Sequence, residues 1–542
     1  MSSPLHDKAE SCKTGSYTVQ DYCEVSTCAG VIDWYRAKSA CGKAFWTLIL
    51  VATLATTGWQ VYEAFVDYLN PGNWFQTVIT ITPTLGNKSF PDVTVCNFNR
   101  VNKSKLVEKG IQDESIFQYA FSAVPVVYHM TFKDLAAYNQ MHSPNKNLDH
   151  SQSSSLFGQK NLSETWREFV DQYYHGTEPT ISDLILEYGH ECNTTVQVTG
   201  FQLEKFFNPC QRAREVITNF GKCFRFNLSD MFQTFPGASM GLQMIINPAL
   251  DFYLNESVFN NYLEEGILLS FDYTDESLLA NPVVVAPGSH AFISLKLTEQ
   301  IYQKALYPIF PMPCKKNATL EIMDGDYSKR MCYYECFIKV VYKLCNCVPP
   351  VRAKKNFRQC TINEVTTCFG PLMVNMSSAK TASLLGKECQ ESCFDPCEGF
   401  TTVHTQVSTT RFPAEKLVPQ LQHFLDFVHH SPQREGSRVE DFISIDAYFP
   451  VMEVVTVTTS ESTPIFSFIG NIGGQLGLWT GMCIMTIFQA LYFMAVTCCG
   501  AMCNSKKTPV CPVTEKHGPP VEKHSPATYA QPTYFGTLPI AS

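Results

Sequence analysis

The longest apolar pattern in the chain lies near its C-terminal end, where the 44 residues from Ser462 to Ser505 contain no Asp, Glu, Lys, Arg or His. Its centre, FIGNIGGQLGLWTGMCIMTIFQALYFMAV, exceeds the roughly 20 apolar residues that a bilayer-spanning helix needs. It also holds Gly470, Gly473, Gly474, Gly477 and Gly481. Each glycine costs a helix roughly 0.8–1.0 kcal/mol against alanine, so a plain anchor gains nothing from them. In a membrane, such glycines serve either close helix packing or backbone facing a water-filled pore, and the pattern is read as the second. A further apolar run, Ala44–Tyr62, has 19 residues without a charge. Arg36, Lys38 and Lys43 precede it, and Glu63 and Asp67 follow. The positive-inside rule therefore places the N-terminus in the cytoplasm, and Lys506 and Lys507 place the C-terminus there too.

This pattern predicts a two-pass plasma-membrane protein with both termini cytoplasmic. Residues 1–43 are the cytoplasmic N-terminus, 44–68 the first transmembrane helix and 69–461 an extracellular domain. Residues 462–503 are a pre-segment with a glycine-broken second transmembrane helix, and 504–542 a largely disordered cytoplasmic tail. No cleaved signal sequence is apparent at the start. Within the extracellular stretch, β-branched runs predict strands at Trp74–Thr82, Gly266–Tyr273, Pro282–Leu297 and Ile443–Thr458. Leu417, Val418, Leu421, Phe424, Leu425 and Val428 recur at helical spacing, so 414–429 is an amphipathic helix whose stripe is core. The Ser/Asn-rich stretch 142–163 is an exposed loop. The fold class is α+β.

Cysteine usage supports the compartment. Fourteen of the 23 cysteines, Cys96 through Cys397, fall in the proposed extracellular stretch, an even number that suits a disulfide framework. The sequons Asn87, Asn102, Asn161, Asn193, Asn227, Asn255, Asn317 and Asn375 all fall there as candidate glycosylation sites, and none lies in the tails. Ten cysteines crowd between Cys314 and Cys397, including Cys332-x-x-x-Cys336, Cys345-Asn-Cys347 and Cys389-x-x-x-Cys393-x-x-x-Cys397. Cysteines four apart share a helix face, so two facing helices can carry a ladder of bridges. Spacing alone leaves the connectivity open. C-x-x-C pairs with ligand histidines are missing, which disfavours zinc. No metal and no cofactor are expected. The net charge of −9, without a basic stripe, gives no nucleic-acid partner.

Other motifs carry less. Gly237-Ala-Ser239-Met-Gly241 matches the G-x-S-x-G nucleophile elbow, which needs a strand before it and a helix after it. Pro236 precedes it and a strand-like run follows, so a chance match is preferred to a hydrolase. His429-His430 sit near the end of the predicted amphipathic helix and read as capping or exposure. Cys498, Cys499 and Cys503 suit lipidation at a membrane face or simple filling of the helix end. Pro532-Thr533-Tyr534 is an incomplete WW-domain ligand. No nucleotide or zinc-protease fingerprint is present.

From about Thr27 to Met502 the chain resembles the degenerin/epithelial sodium channel family, which includes acid-sensing and peptide-gated channels. The resemblance rests on FPDVTVCNFN (Phe90–Asn99), GKCFRFN (Gly221–Asn227), the Cys345-Asn-Cys347 pattern and GNIGGQLGLWTG (Gly470–Gly481), in that order. It implies a trimer, of like or related subunits, with a hand-shaped ectodomain of β-rich palm and helical finger and thumb. Residues 314–397 would be the disulfide-laddered thumb. The implied pairings are Cys96 with Cys223, Cys192 with Cys210, Cys314 with Cys397, Cys332 with Cys393, Cys336 with Cys389, Cys345 with Cys368, and Cys347 with Cys360. Sodium ions would be the permeant species, through a usually amiloride-sensitive pore in the lipid bilayer. The constriction would be Gly481, Met482 and Cys483, whose carbonyls replace part of an ion's hydration shell. Gly470 and Asn471 would form the gate, or degenerin site, and Gly474, Gly477 and Gln489 would line the pore.

Departures from the family pattern shape the functional expectation. Cys483 stands where the family has serine, Gln489 where acid-sensing members have glutamate, and Ala29-Gly30 where a His-Gly gating motif precedes the first helix. Tyr62–Phe75 lacks the paired histidines of acid-sensing members. Histidine is the natural sensor near neutral pH, so a peptide or other extracellular ligand is favoured over the proton. Acidic clusters such as Asp272, Asp275 and Glu276 would still titrate if crowded. The alternative is a two-pass scavenger or adhesion receptor, for which a plain second anchor would suffice.

Overall fold

The computed structural model describes residues 30–112, 116–117, 162–202, 207–253, 264–276, 279, 281–303, 314–349, 351–369, 372, 386–387, 389–397, 400–429 and 438–502. The chain divides into two compact units, Met1–Leu69 with Phe466–Ser542, and Asn70–Ile465. In the first, a short helix α1 (Val31–Arg36) leads into α2 (Ala40–Leu69), 30 residues long. The predicted span is thus extended at its start. Its threonines do not weaken it, because their hydroxyls bond back into the helix: Thr47 donates to the Lys43 carbonyl, Thr56 to Ala52 and Thr57 to Thr53, each at 2.7 Å. This helix is long and apolar enough to cross a membrane.

The Asn70–Ile465 unit is built on two sheets. A mixed seven-stranded sheet runs in the order β1 (Phe75–Thr82), β14 (Val454–Glu461), β9 (Ser289–Tyr302), β13 (Ile443–Tyr448), β6 (Leu242–Ile246), β3 (Val196–Phe201), and β12 (Phe400–Arg411) also pairs with β9. An antiparallel five-stranded sheet runs β4 (Ala213–Thr218), β5 (Gly221–Phe226), β2 (Asp92–Asn97), β7 (Ile267–Asp272), β8 (Val283–Val285). A two-residue pair, β10 (Cys314–Lys315) and β11 (Asp395–Pro396), is parallel. One core joins the two larger sheets, with Val93, Val95, Phe226 and Leu269 from one and Ile246, Ile293, Leu297 and Ile445 from the other.

Two predicted strands are each broken in two. Pro282–Leu297 splits into β8 and β9 at Gly288, whose φ of 67° favours glycine. Ile443–Thr458 splits into β13 and β14 across 449–453, where Pro450 interrupts the ladder. Both fragments run parallel to β9, one after the other along it. Helices α3 (Leu162–Tyr174) and α4 (Ile181–Tyr188) share a cluster with α5 (Lys329–Cys345), through Trp166, Phe169, Leu184 and Val341. The amphipathic stripe predicted over 414–429 forms α6 (Val418–His429), with Leu425 fully buried. Of the loop expected over 142–163, the last two residues begin α3 and the rest lies outside the described residues, as does the tail 504–542.

All seven disulfides pair as the resemblance implied, with Cα separations of 4.4 Å at Cys96–Cys223 and 5.9 Å at Cys336–Cys389. Cys332 and Cys336, one turn apart on α5, meet Cys393 and Cys389 in that order.

The second apolar segment is two helices, α7 (Ile465–Thr480) and α8 (Ile484–Met502), and not one continuous span. In the first unit, Phe468 of α7 stacks on Tyr68 of α2 at 4.0 Å between ring centroids and meets Phe65 edge-on at 5.1 Å. The Trp479 indole N–H donates to the Gln60 side-chain Oε1 at 2.7 Å.

Candidate functional site

The break between α7 and α8 falls on Gly481–Met482–Cys483, and the helix axes bend by 75° there. Gly481 closes the first helix: its N–H reaches the Gly477 carbonyl at 3.1 Å, and its φ of 66° turns the chain out of the helix. Cys483 opens the second, its carbonyl accepting from Thr486 N–H at 3.0 Å. Two threonines hold the bend. The Thr480 hydroxyl donates to the Leu476 carbonyl at 2.7 Å and accepts from Met482 N–H at 3.4 Å. The Thr486 hydroxyl accepts from Cys483 N–H at 3.1 Å and lies 3.6 Å from the Cys483 sulfur. Both threonines are buried, and Cys483 is an exposed thiol. Carbonyls released at a helix end need water, an ion or a protein donor once in a membrane.

The remaining candidates sit on these helices. A Cβ added at Gly470, Gly473 or Gly474 meets nothing within 4 Å, so packing inside one chain does not require these glycines. Asn471 is exposed, and Gly477 has only the Met482 carbonyl near its Cβ position, at 3.9 Å. The Gln489 side-chain oxygen is buried without a hydrogen-bond partner among the described residues. Gly30 begins α1 at φ 83°, with a Cβ position 3.4 Å from Leu50. Ala29 lies outside the described residues. The assignment of 1–43 to a cytoplasmic N-terminus foresaw no helix there and so missed α1, whose Trp34 indole donates to Thr47 at 2.9 Å on α2. Val31, Ile32, Trp34 and Tyr35 were the available signal. Sequence reasoning also missed the Gln60–Trp479 pair and the two threonines at the bend.

In the Asn70–Ile465 unit, the acidic cluster is matched by arginines distant in sequence. Arg352 grips Asp275 with two bonds of 2.9 and 2.8 Å, and Arg214 adds a third at 2.6 Å. Burial pushes the Asp275 carboxyl up, but the arginine hydrogen bonds outweigh it and hold it at about 2. Arg330 bonds Glu276 at 2.9 and 2.5 Å. Asp272 goes the other way: burial, then Glu276, raise its carboxyl against a bond from the Ser270 hydroxyl. Crowding thus raises Asp272, while the arginines lower Asp275.

The elbow motif is a strand-entry turn. It leads into β6 and not into a helix, and Ser239, at φ 65°, donates from its N–H to the Asp446 carboxylate at 2.8 Å. Its hydroxyl faces the same carboxylate at 3.4 Å, and no histidine bonds to it among the described residues. Gly241 is required because a Cβ would stand 2.0 Å from the Ala447 carbonyl. Among the sequons, Asn87, Asn193, Asn227 and Asn317 are exposed. Asn102 is 6% exposed, and its side chain caps a helical turn by accepting from Ser104 N–H at 2.9 Å. Asn161, Asn255 and Asn375, like His430 and Cys503, lie outside the described residues.

A membrane-type apolar helix, a glycine-broken partner and a disulfide-rich β unit define a class of ion-channel subunit. The chain belongs to the amiloride-sensitive sodium channel family, whose model matches residues 22–493. It is 21% identical over 476 residues to the bile acid-sensitive ion channel of Homo sapiens, covering 86% of this chain and 83% of the relative. It is 21% identical over 480 residues to acid-sensing ion channel 1B of Danio rerio, covering 84% and 72%. It is 23% identical over 473 residues to acid-sensing ion channel 4-B of Danio rerio, covering 83% and 71%. The family is one of ion channels and not of enzymes, so Ser239 carries no catalytic role.

Proposed function

We propose that the chain is a subunit of a sodium-preferring, amiloride-sensitive channel of the plasma membrane, opened from outside by a peptide or other ligand and not by protons. Three like or related copies would surround the pore, with both termini in the cytoplasm and 69–461 outside. The observation that carries this reading is the 75° break at Gly481–Met482–Cys483 in an otherwise uncharged apolar segment. Such a break inside a bilayer is tolerated only where the freed backbone faces water, an ion or protein. A ring of carbonyls from converging copies would meet that need and would coordinate a small cation. The open space at Gly470, Gly473 and Gly474 in one chain supports close approach by other copies at those positions. Without an acid on this segment, cation attraction would fall to carbonyl dipoles and to outer acidic residues. The paired state of Asp275 and Glu276 supports a stimulus other than the proton.

Oocyte recording tests the reading. A side chain at Gly470 cannot repack between converged copies in a closed gate, so Gly470→Val or Gly470→Phe is expected to give standing current. Replacing external sodium with N-methyl-D-glucamine should remove its inward component. A surface-delivered Gly470→Val chain that passes no cation current would overturn the channel reading.

A further inference from the structure

The Asn70–Ile465 unit holds a cavity of about 1020 Å³ between the end of β7, the start of α5 and the first residues of β12. Its size suits a drug-sized molecule, since such pockets run roughly 300–1,000 Å³. Its wall is aromatic, with Phe271, Tyr327, Tyr333, Tyr334, Phe337 and Phe400. Two phenols are engaged, Tyr327 donating to the Phe394 carbonyl at 3.0 Å and Tyr333 to Gly386 at 2.6 Å. The Tyr334 hydroxyl has no hydrogen-bond partner among the described residues, and burial raises it to about 12.

The wall charges are unequal. Arg330 is committed to Glu276, and Lys329 faces Asp395 at 3.9 Å. The Asp272 carboxylate is in no close salt bridge among the described residues: the Ser270 hydroxyl bonds it, while Arg330 and Arg225, bonded to Glu276 and Asp92, act on it only from further away. Three carboxylates (Asp272, Glu276, Asp395) against two cations (Lys329, Arg330) leave one negative charge on the wall, at Asp272. Burial raises the Asp272 carboxyl, with Glu276 adding to it, and the two arginines and the Ser270 hydroxyl only partly offset this.

We propose that this cavity binds a monovalent organic cation with an apolar body, its ammonium or guanidinium group on Asp272 and the Tyr334 hydroxyl and its body against the aromatic rings. Ring faces attract such cations, and the carboxylate supplies the ion pair. An anionic amphiphile would bring a second negative charge to Asp272 while both wall cations are already paired. A bare metal ion would need more oxygen ligands than this aromatic wall presents. The site stands whether or not the chain conducts.

Calorimetry on the purified full chain in lipid nanodiscs, with empty nanodiscs subtracted, tests it using 4-phenylbutylamine, 4-phenylbutan-1-ol and 4-phenylbutyrate. The amine is expected to bind saturably and at least about tenfold more tightly than the alcohol or the acid. Asp272→Asn should weaken the amine about tenfold and Tyr334→Phe about threefold. Thr402→Trp, an exposed wall position on β12, should block binding by filling the cavity without touching the core. The proposal is overturned if the acid binds as tightly as the amine. It is equally overturned if amine binding is unchanged in Thr402→Trp, or in a folded Asp272→Asn.

Discussion

His190 shows how much a single side chain's environment can hide. It is 4% exposed, and neither ring nitrogen has a hydrogen-bond partner among the described residues. Burial first, then the neighbouring Lys105 and Lys222, lower its pKa from 6.5 to about 3, while Glu191 pairs with Lys105 at 3.2 Å. The unfolded chain therefore binds a proton between pH 6.5 and 3 that the folded chain refuses. The neutral ring's stability contribution is complete above pH 6.5 and is lost as pH falls toward 3. At pH 5 the loss amounts to about 2 kcal/mol. Thermal melts of the purified chain at pH 7 and 5 should show wild type losing about that much more than His190→Phe. Equal losses would mean that the ring is hydrated or paired in solution. The sequence marked no role for His190, because the lysines that surround it come from separate parts of the chain. By contrast Asp275, held at about 2 by Arg352 and Arg214, stays charged throughout the physiological range.

At the scale of elements, glycine content flagged the second apolar segment, and the bend sits where the resemblance placed the constriction. The bend angle and the two threonine braces depend on side-chain hydrogen bonds that no periodicity announces. The Cys483 thiol at this break offers a chemical handle. On a Gly470→Val background, an external cationic methanethiosulfonate should remove most of the current. Cys483→Ser should keep its current, since it retains the size but not the reactive sulfur. A wild-type thiol that reacts without changing the current would place residue 483 off the permeation path. Elsewhere, strand runs were legible by composition, but their division at Gly288 and across 449–453 was not. Both β13 and β14 are claimed by successive stretches of β9, which long-range pairing dictates.

For the molecule as a whole, chain order is informative. The strand that follows α2 and the strand that precedes α7 pair with each other, Phe75 opposite Glu461 and Thr82 opposite Val454. Under the proposed function, β1 and β14 would carry a binding event toward both apolar segments together. Seven disulfides, each adding on the order of 2–4 kcal/mol, would keep the rest stiff enough to transmit it. The proposed topology also makes a count. Mass spectrometry of the expressed chain, with and without glycosidase, should find glycans at the exposed Asn87, Asn193, Asn227 and Asn317. Asn102, buried and engaged as a cap, should be bare. Glycan-free Asn87, Asn193, Asn227 and Asn317 would contradict an extracellular 69–461.

Local chemistry was readable from residue order, because it depends on neighbours along the chain. Apolar length, charge-flanked spans, strand composition, the helical stripe over 414–429 and the glycines at the break all belong to it. The cysteine pairings came through resemblance, since fourteen thiols permit far more connectivities than spacing can separate. Three-dimensional packing alone assigned partners to the charges. Asp275 received its arginines from 61 and 77 residues away, Asp272 lies near arginines bonded to other carboxylates, and His190 was sealed off from water. Desolvation and ion pairing act through space, so the same acidic cluster can be neutralised or left reactive by contacts between segments remote in the chain.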